Sequence, residues 1–396
     1  NDGVYMSDFL EIKLKQLAEF QQKHTKLLAG IIILLTITLG IGLKDLSINS
    51  DVRNEMPLEM PIFKINDRVS DNFGGRDTVI IAVMMDESVD SDRAIRDIRD
   101  PRVIQSLIFL EDALLDKESV TSVSSPASLF RGREDVAPDE ISSAMKNNPY
   151  VSGYFSKNYK TALMSISADI GSGEDKVRKF NAMVQEQIDY TPKPPGVVFR
   201  VTGAPNMRIT IFELLKRDAV VTLAVSASII LLLLFVMQRS YTKGLLVFIP
   251  LSFGLIWTMG TLGWLGIPLS VATVSLSSMI LGLGVEYGVF MVTRYGEERA
   301  KKENQLESLK TTVHGIGSAI IGSGMTTMVG FGALSFATVP MIQHLGQTLA
   351  LGIAFCLLAA LFATPVMLLL EEEYEVWNTQ RKLKKLSLKR EKHLEW

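Results

Sequence analysis

The sequence predicts a polytopic α-helical membrane protein with six transmembrane helices and one large α+β domain outside the membrane. Three observations carry this. Long runs lack any charge, the short turns near Pro268 and Pro340 carry no positive charge while the segments alternating with them are basic, and one long segment mixes both charges with short apolar strands.

A spanning helix needs about 20 apolar residues to cross about 30 Å of hydrocarbon. Leu27–Leu43 is the first such run. Lys44-Asp45 follows it rather than a small-residue cleavage site, so it reads as a retained helix. Ala219–Gln238 is the second. No charge occurs from Gly244 to Val285, a stretch too long for one helix, and Gly266-Ile267-Pro268 supplies a turn within it. It therefore predicts helices over Gly244–Leu265 and Pro268–Thr293. Gly315–Leu370 divides in the same way at Pro340 and Gln343-His344, giving Gly315–Thr338 and Met341–Leu370.

Lysine and arginine precede span one, fill the turn after span two (Arg239, Lys243), follow span four (Arg294, Arg299, Lys301, Lys310) and return in the tail (Arg381 to Lys392). Six spans put all four segments on one side, which the positive-inside rule makes the cytoplasm. The expected arrangement is a plasma-membrane protein with both termini cytoplasmic. Residues 1–26 form a cytoplasmic amphipathic helix with Leu10, Leu14 and Leu17 on one face, or a plain extension of span one. Span one covers 27–43, the extracytoplasmic domain 44–218, the remaining bundle 219–370 and a basic tail 371–396.

The extracytoplasmic segment reads strand, helix, strand, strand, helix, strand. Asp77–Asp86 is a buried strand. Pro101–Asp116 carries Val103, Leu107, Leu110 and Leu114 at helical spacing. Val120–Val123 and Ala162–Ile170 are strands, Ala137–Asn147 is an extra helix, Glu174–Tyr190 is the second principal helix and Val197–Thr202 closes the order. This is the split βαβ, or ferredoxin-like, pattern.

A net charge of −2 gives no sign of nucleic-acid binding. One cysteine, Cys356, excludes a disulfide within the chain, and the four histidines are scattered, so no Cys/His metal set exists. No Gly-x-Ser-x-Gly elbow, zinc spacing or Walker A sequence occurs. The chain is expected to be no enzyme and to need no cofactor.

Glu286 is the most informative residue. It lies inside span four, eight residues before Arg294, hence about 12 Å from the charged boundary. A carboxylate at that depth is expensive and is a functional candidate by default. The alternative is a buried acid permanently bonded to hydroxyls. Ser278, Gly282 and Glu286 recur every four residues and share a face, as do Ser318, Gly322, Thr326 and Gly330 on span five. Small faces let helices approach closely. If the two faces meet, Ser323, Thr326 or Thr327 would solvate Glu286 or relay its proton, with Tyr287 as a further partner. Plain packing accounts better for most individual members of the stripes.

These residues resemble one half of a resistance–nodulation–division (RND) transporter, in the hydrophobe/amphiphile-efflux and mycobacterial-membrane-protein-large (MMPL) branch. The likeness lies in the one-plus-five helix layout and in Met56-Pro-Leu-Glu-Met-Pro61 followed by Phe73-Gly-Gly75. It continues in Gly282-Leu-Gly-Val-Glu-Tyr287 with Arg294-Tyr-Gly-Glu-Glu-Arg299, and in Thr326-Thr-Met-Val-Gly-Phe-Gly-Ala-Leu334. It implies an extracytoplasmic porter domain, a proton-coupled site at Glu286 where relatives carry Asp, and export of lipids, sterol-like molecules or drugs. Relatives mostly hold twelve helices in two tandem halves, so a six-helix chain is expected to form a homodimer among membrane lipids, with Glu286 near the dyad. Two other functions fit the plan: a protein-export accessory subunit, whose span-four motif differs from Val285-Glu-Tyr287, and a lipid or sterol sensor without transport. Sodium coupling also stays open.

Overall fold

A computed structural model describes residues 2–49, 55–65, 68, 77–89, 93–133, 136–170, 174–270, 272–301 and 304–394. The Phe73-Gly74-Gly75 motif, the Leu10 side chain and the basic side chains from Lys384 to Lys392 lie outside the described residues. The chain forms two compact units, Asn1–Met56 with Leu215–Trp396, and Pro57–Leu214.

Among the described residues six helices are long and apolar enough to cross a membrane, and the chain is a multi-pass membrane protein. They are built from α2 (Thr25–Ile41), α6 (Ala204–Gln238), α7 (Tyr241–Trp264), α8 (Leu276–Ala300), α9 (Gln305–Gly332), and α10 (Pro340–Leu358), which runs on into α11 (Thr364–Leu394). The centre of the membrane unit is α7, α8 and α10. Val247, Leu251, Leu281, Tyr287, Ile353 and Cys356 are buried there together. Two glycines let these helices close up. A Cβ on Gly254 of α7 or Gly284 of α8 would sit 2.9 or 2.7 Å from Cys356 Sγ, so the thiol fills the space that both vacate.

The helices α2 and α6 are peripheral. Ile31, Leu34 and Ile37 on α2 and Val220, Leu232 and Val236 on α6 stay exposed, as lipid-facing residues should. Two indoles of α7 hold α2: Trp257 Nε1 donates to Thr36 Oγ1 at 2.9 Å, and Trp264 Nε1 to the Thr38 carbonyl at 3.1 Å.

Helix ends depart from the charge-based expectation. Helix α6 starts fifteen residues before Ala219, and α9 ten before Gly315. A helix leaving hydrocarbon need not stop where its charges begin. Helix α8 starts later, at Leu276 rather than Pro268. The segment before it is held extended: the Leu269 amide donates to the Ser47 carbonyl at 2.8 Å, and the Asn49 amide to the Leu269 carbonyl at 2.7 Å.

Helix α1 (Asp2–Lys23) does not lie free on a surface. Leu14 packs beside Gly317, Glu19 pairs with Lys310 at 2.9 Å, and Gln22 donates to Gln305 at 3.4 Å. Positions rising along α1 meet positions falling along α9, so the two helices are antiparallel. Ala18 and Gln21 are fully buried. Gln21 Nε2 donates at 2.8 Å to the carbonyl of Leu361, which lies in a single π turn, Ala359–Ala363, between α10 and α11. A π turn breaks the regular bonding ladder and leaves a carbonyl for an outside donor.

The second unit is built on a four-stranded antiparallel sheet of order β2-β3-β1-β4. Its strands are β1 (Asp77–Met85), β2 (Val120–Ser124), β3 (Thr161–Ala168) and β4 (Val197–Gly203). Val79 pairs with Ile166 on one side and Gly203 on the other. Alternation along β1 buries Val79, Ile81 and Val83. Two helices complete the core: α3 (Pro101–Leu115) through Val103, Leu107, Leu110 and Leu114, and α5 (Glu174–Tyr190) through Val177, Phe180, Val184 and Ile188. Asp100 caps α3 by accepting from the Arg102 amide, and Pro101 takes the first helical position. A shorter α4 (Pro138–Asn147) adds Ile141 to the same core. Buried Glu111 on α3 accepts from Ser125 Oγ at 2.8 Å, Ser128 Oγ at 2.7 Å and Arg131. That satisfies a charge which burial would otherwise make costly.

Candidate functional site

Helix α8 buries one side and opens the other. Ile280, Gly284, Tyr287, Gly288, Met291 and Tyr295 turn toward α7, α9 and α10. Gly282, Glu286 and Phe290 are exposed, and Ser278 is half-buried. The single intramembrane carboxylate of α8 above its basic end therefore faces out of the folded chain.

The small-residue face of α9 is open as well. Ser318, Gly322, Ser323, Thr326 and Gly330 are exposed, and Thr327 is half-buried. Added Cβ atoms at Gly282, Gly322 or Gly330 would meet nothing within 4 Å. The two stripes expected to interlock do not touch each other within one chain. Helices α8 and α9 meet one register over, where buried Tyr287 reaches Gly324: a Cβ there would lie 3.5 Å from the Tyr287 hydroxyl.

Thr327 Oγ1 donates to the Ser323 carbonyl at 2.9 Å. The Ser323 side chain takes no part. Thr326 Oγ1 donates to the same Ser323 carbonyl at 2.8 Å, and Ser318 Oγ to the Gly315 carbonyl at 3.2 Å. Ser278 Oγ is out of solvent contact and has no hydrogen-bond partner among the described residues. Thr293, seven residues past Glu286 on the same face, accepts from Gln238 Nε2 of α6 at 3.0 Å.

The basic end of the bundle is closed by ion pairs. Glu372 accepts from Tyr295 Oη at 2.9 Å and Arg299 Nε at 2.7 Å. Glu298 is held by Arg294 and Lys301, both at 2.7 Å, and Lys26 meets Glu373 at 2.7 Å. Sequence reasoning saw these residues only as topology signals. Their acidic partners are Glu298, in the last turn of α8, and Glu372, inside α11.

The MMPL family model matches residues 60–393. The chain belongs to the MMPL family. It is similar to a membrane protein of Methanocaldococcus jannaschii, 34% identical over 367 residues, which cover 91% of this chain and 94% of that one. It is also similar to a Mycobacterium leprae protein named probable transport protein MmpL4, 27% identical over 59% of this chain and 25% of that protein. The siderophore exporter MmpL5 of Mycobacterium tuberculosis is 27% identical over 54% of this chain and 23% of that protein. The matched segment thus spans about a quarter of these mycobacterial relatives. Among the described residues no group of three or more His, Cys, Asp or Glu side chains could hold a metal ion.

Proposed function

We propose that the chain is a secondary active transporter that exports hydrophobic or amphiphilic molecules, driven by the proton gradient through Glu286. The observation that carries this reading is the exposed carboxylate within α8. An acid presented to hydrocarbon costs several kcal/mol. The cost is avoided when the group takes up a proton or when its face is covered. Both happen in the proposed cycle.

The cover is a second copy of the chain. Gly282, Gly322 and Gly330 leave room for a neighbouring backbone, and lipid-immersed helices associate through such small faces. In the homodimer two Glu286 carboxyls lie near the dyad. The unpaired Ser278 hydroxyl flanks them as a polar partner. The basic end carrying Arg299 and Lys26 is the cytoplasmic end. The second unit lies outside as a ferredoxin-like porter domain, a reading supported by its β2-β3-β1-β4 order. The transport and exporter names of the mycobacterial relatives agree with this direction of function.

The test uses proteoliposomes under an imposed pH gradient, following proton flux and movement of a dye-labelled lipid. Glu286→Gln should abolish both while leaving the protein folded. If the variant keeps the flux of the native chain, coupling through Glu286 is wrong. Cysteine placed at Gly282 in a Cys356→Ser background should cross-link two copies; only monomer under oxidation would remove the dimer.

A further inference from the structure

The α8 face does not say where cargo is held. A cleft of about 490 Å³ lies in the second unit. It is walled by Asn181 of α5, the end of β4 with Thr202, and the first turns of α6 with Asn206, Met207, Ile209 and Thr210. Pockets of roughly 300–1,000 Å³ are the size that takes small molecules.

Two features of the lining point to a ligand. The first is a pair of unmet hydrogen-bonding groups. The Oδ1 atoms of Asn181 and Asn206 are both out of solvent contact and have no hydrogen-bond partner among the described residues. Buried amide oxygens are nearly always paired, and here two orphans from different helices line one cleft. The terminal torsion of asparagine is broad, so a small rotation presents either edge of each amide to a guest. Thr210 already donates its hydroxyl proton to the Asn206 carbonyl at 3.1 Å, and its oxygen remains free to accept.

The second feature is charge. None of the lining residues is ionised; the polar ones are amides and hydroxyls, and the rest are aliphatic or methionine. The cations beside the lining have carboxylate partners: Arg178 binds Glu174 at 2.8 Å and Glu213 at 3.1 Å, and Arg208 lies 3.8 Å from Asp77. An ionised headgroup would lose its water here and gain no counter-charge. A neutral hydroxyl both donates and accepts, which suits two amides and two threonines. Met207 is 59% exposed, an uncovered apolar flank beside polar groups.

We infer that this cleft binds the neutral, hydroxyl-bearing headgroup of an amphiphile of the monoacylglycerol kind, with Met207 and Ile209 along the first part of its chain. The inference names a cargo class for the transporter reading, and it is tested at equilibrium without any gradient.

The full chain in lipid nanodiscs is photolabelled with two diazirine probes of equal acyl length, a monoacylglycerol and a fatty-acid anion, and the adducts are mapped by peptide mass. The neutral probe should label peptides containing Asn181 and residues 201–211, and the anion should not. Asn181→Leu and Asn206→Leu should each lower that labelling about tenfold, the effect of one lost hydrogen bond to a buried amide. Met207→Trp should block it by filling the cleft, and this exposed position keeps the test open if an asparagine variant fails to fold. Equal labelling by the anion, or undiminished labelling in the folded variants, overturns the site. Glu286→Gln should label like the native chain, so failed transport and failed binding are told apart.

Discussion

Alanine at two glycines of α8, two residues apart, should have opposite effects. Alanine is favoured over glycine inside a helix by about 0.5–1 kcal/mol. At Gly282 the new methyl meets nothing within 4 Å, so Gly282→Ala should stabilise the detergent-solubilised monomer by about that amount. At Gly284 the methyl would lie 2.7 Å from Cys356 Sγ, 2.9 Å from Cys356 Cβ and 2.9 Å from Leu251 Cδ1. Overpacking of a tight core costs about 1–3 kcal/mol. Cys356 has little room to retreat, because its other side already packs against the α7 backbone at Gly254, where only the absence of a side chain admits it. The upper half of that range therefore applies, and the net loss is about 1–2 kcal/mol. Thermal unfolding followed by tryptophan fluorescence should move Gly284→Ala down by a few degrees and Gly282→Ala slightly up. Adding Cys356→Ala removes the nearest of the three contacts and should recover part of the loss. A Gly284→Ala chain as stable as the native one, or a loss that Cys356→Ala does not relieve, would refute this account of the close approach.

Three further outcomes follow from the geometry. Gln21→Leu removes the donor to the Leu361 carbonyl and leaves that carbonyl buried, a cost of about 1–3 kcal/mol; it should appear as faster amide exchange in α1, with α5 unaffected. Leu107→Ala empties a fully buried position of α3 and should cost about 2–5 kcal/mol, seen as lost protection of the second unit. The carboxyls of Asp97 and Asp100 are held below their ordinary 3.8, chiefly by hydrogen bonds from Arg99 and Arg102. Depressed folded values mean that their stabilisation is present above about pH 3.8 and is lost as pH falls through the lower folded values. Exchange around the start of α3 should therefore accelerate below pH 4, and Asp97→Asn combined with Asp100→Asn should flatten that response.

The spans were legible because hydrocarbon tolerates little charge, and Gly244–Val285 announces two helices by composition alone. Their ends were not legible for the same reason. Arg208, Glu213, Lys216 and Arg217 look like the edge of a domain, yet they ride on the first turns of α6. Pro268 resembles a helix start, but Leu269 is committed to Ser47 and Asn49, residues more than two hundred positions away. The order of strands and helices in the second unit was readable from alternation and from the helical spacing of Val103, Leu107, Leu110 and Leu114 after Pro101. The site was half readable. The depth of Glu286 singled it out, whereas the four-residue spacing of Gly282 and Glu286 is shared by Gly284 and Gly288. Spacing shows that a face is small and does not say which neighbour it meets. The orphaned amides of Asn181 and Asn206 left no local signal, since only the fold brings them to one cleft.

The π turn at Ala359–Ala363 has a consequence for how the last span keeps its phase. One extra residue in a turn rotates everything beyond it by about 100° relative to a continuous α-helix. Residues before and after it therefore belong to two different angular registers, and each register is the one its own neighbours need: Cys356 against α7 and α8 above, Glu372 against Tyr295 and Arg299 below. A single-residue deletion within the turn would heal the helix and keep both halves in their present phase, because the residue removed is the one the turn absorbs. The acceptor for Gln21 would return to its own ladder at the same time, and α1 would lose its hold on the last span.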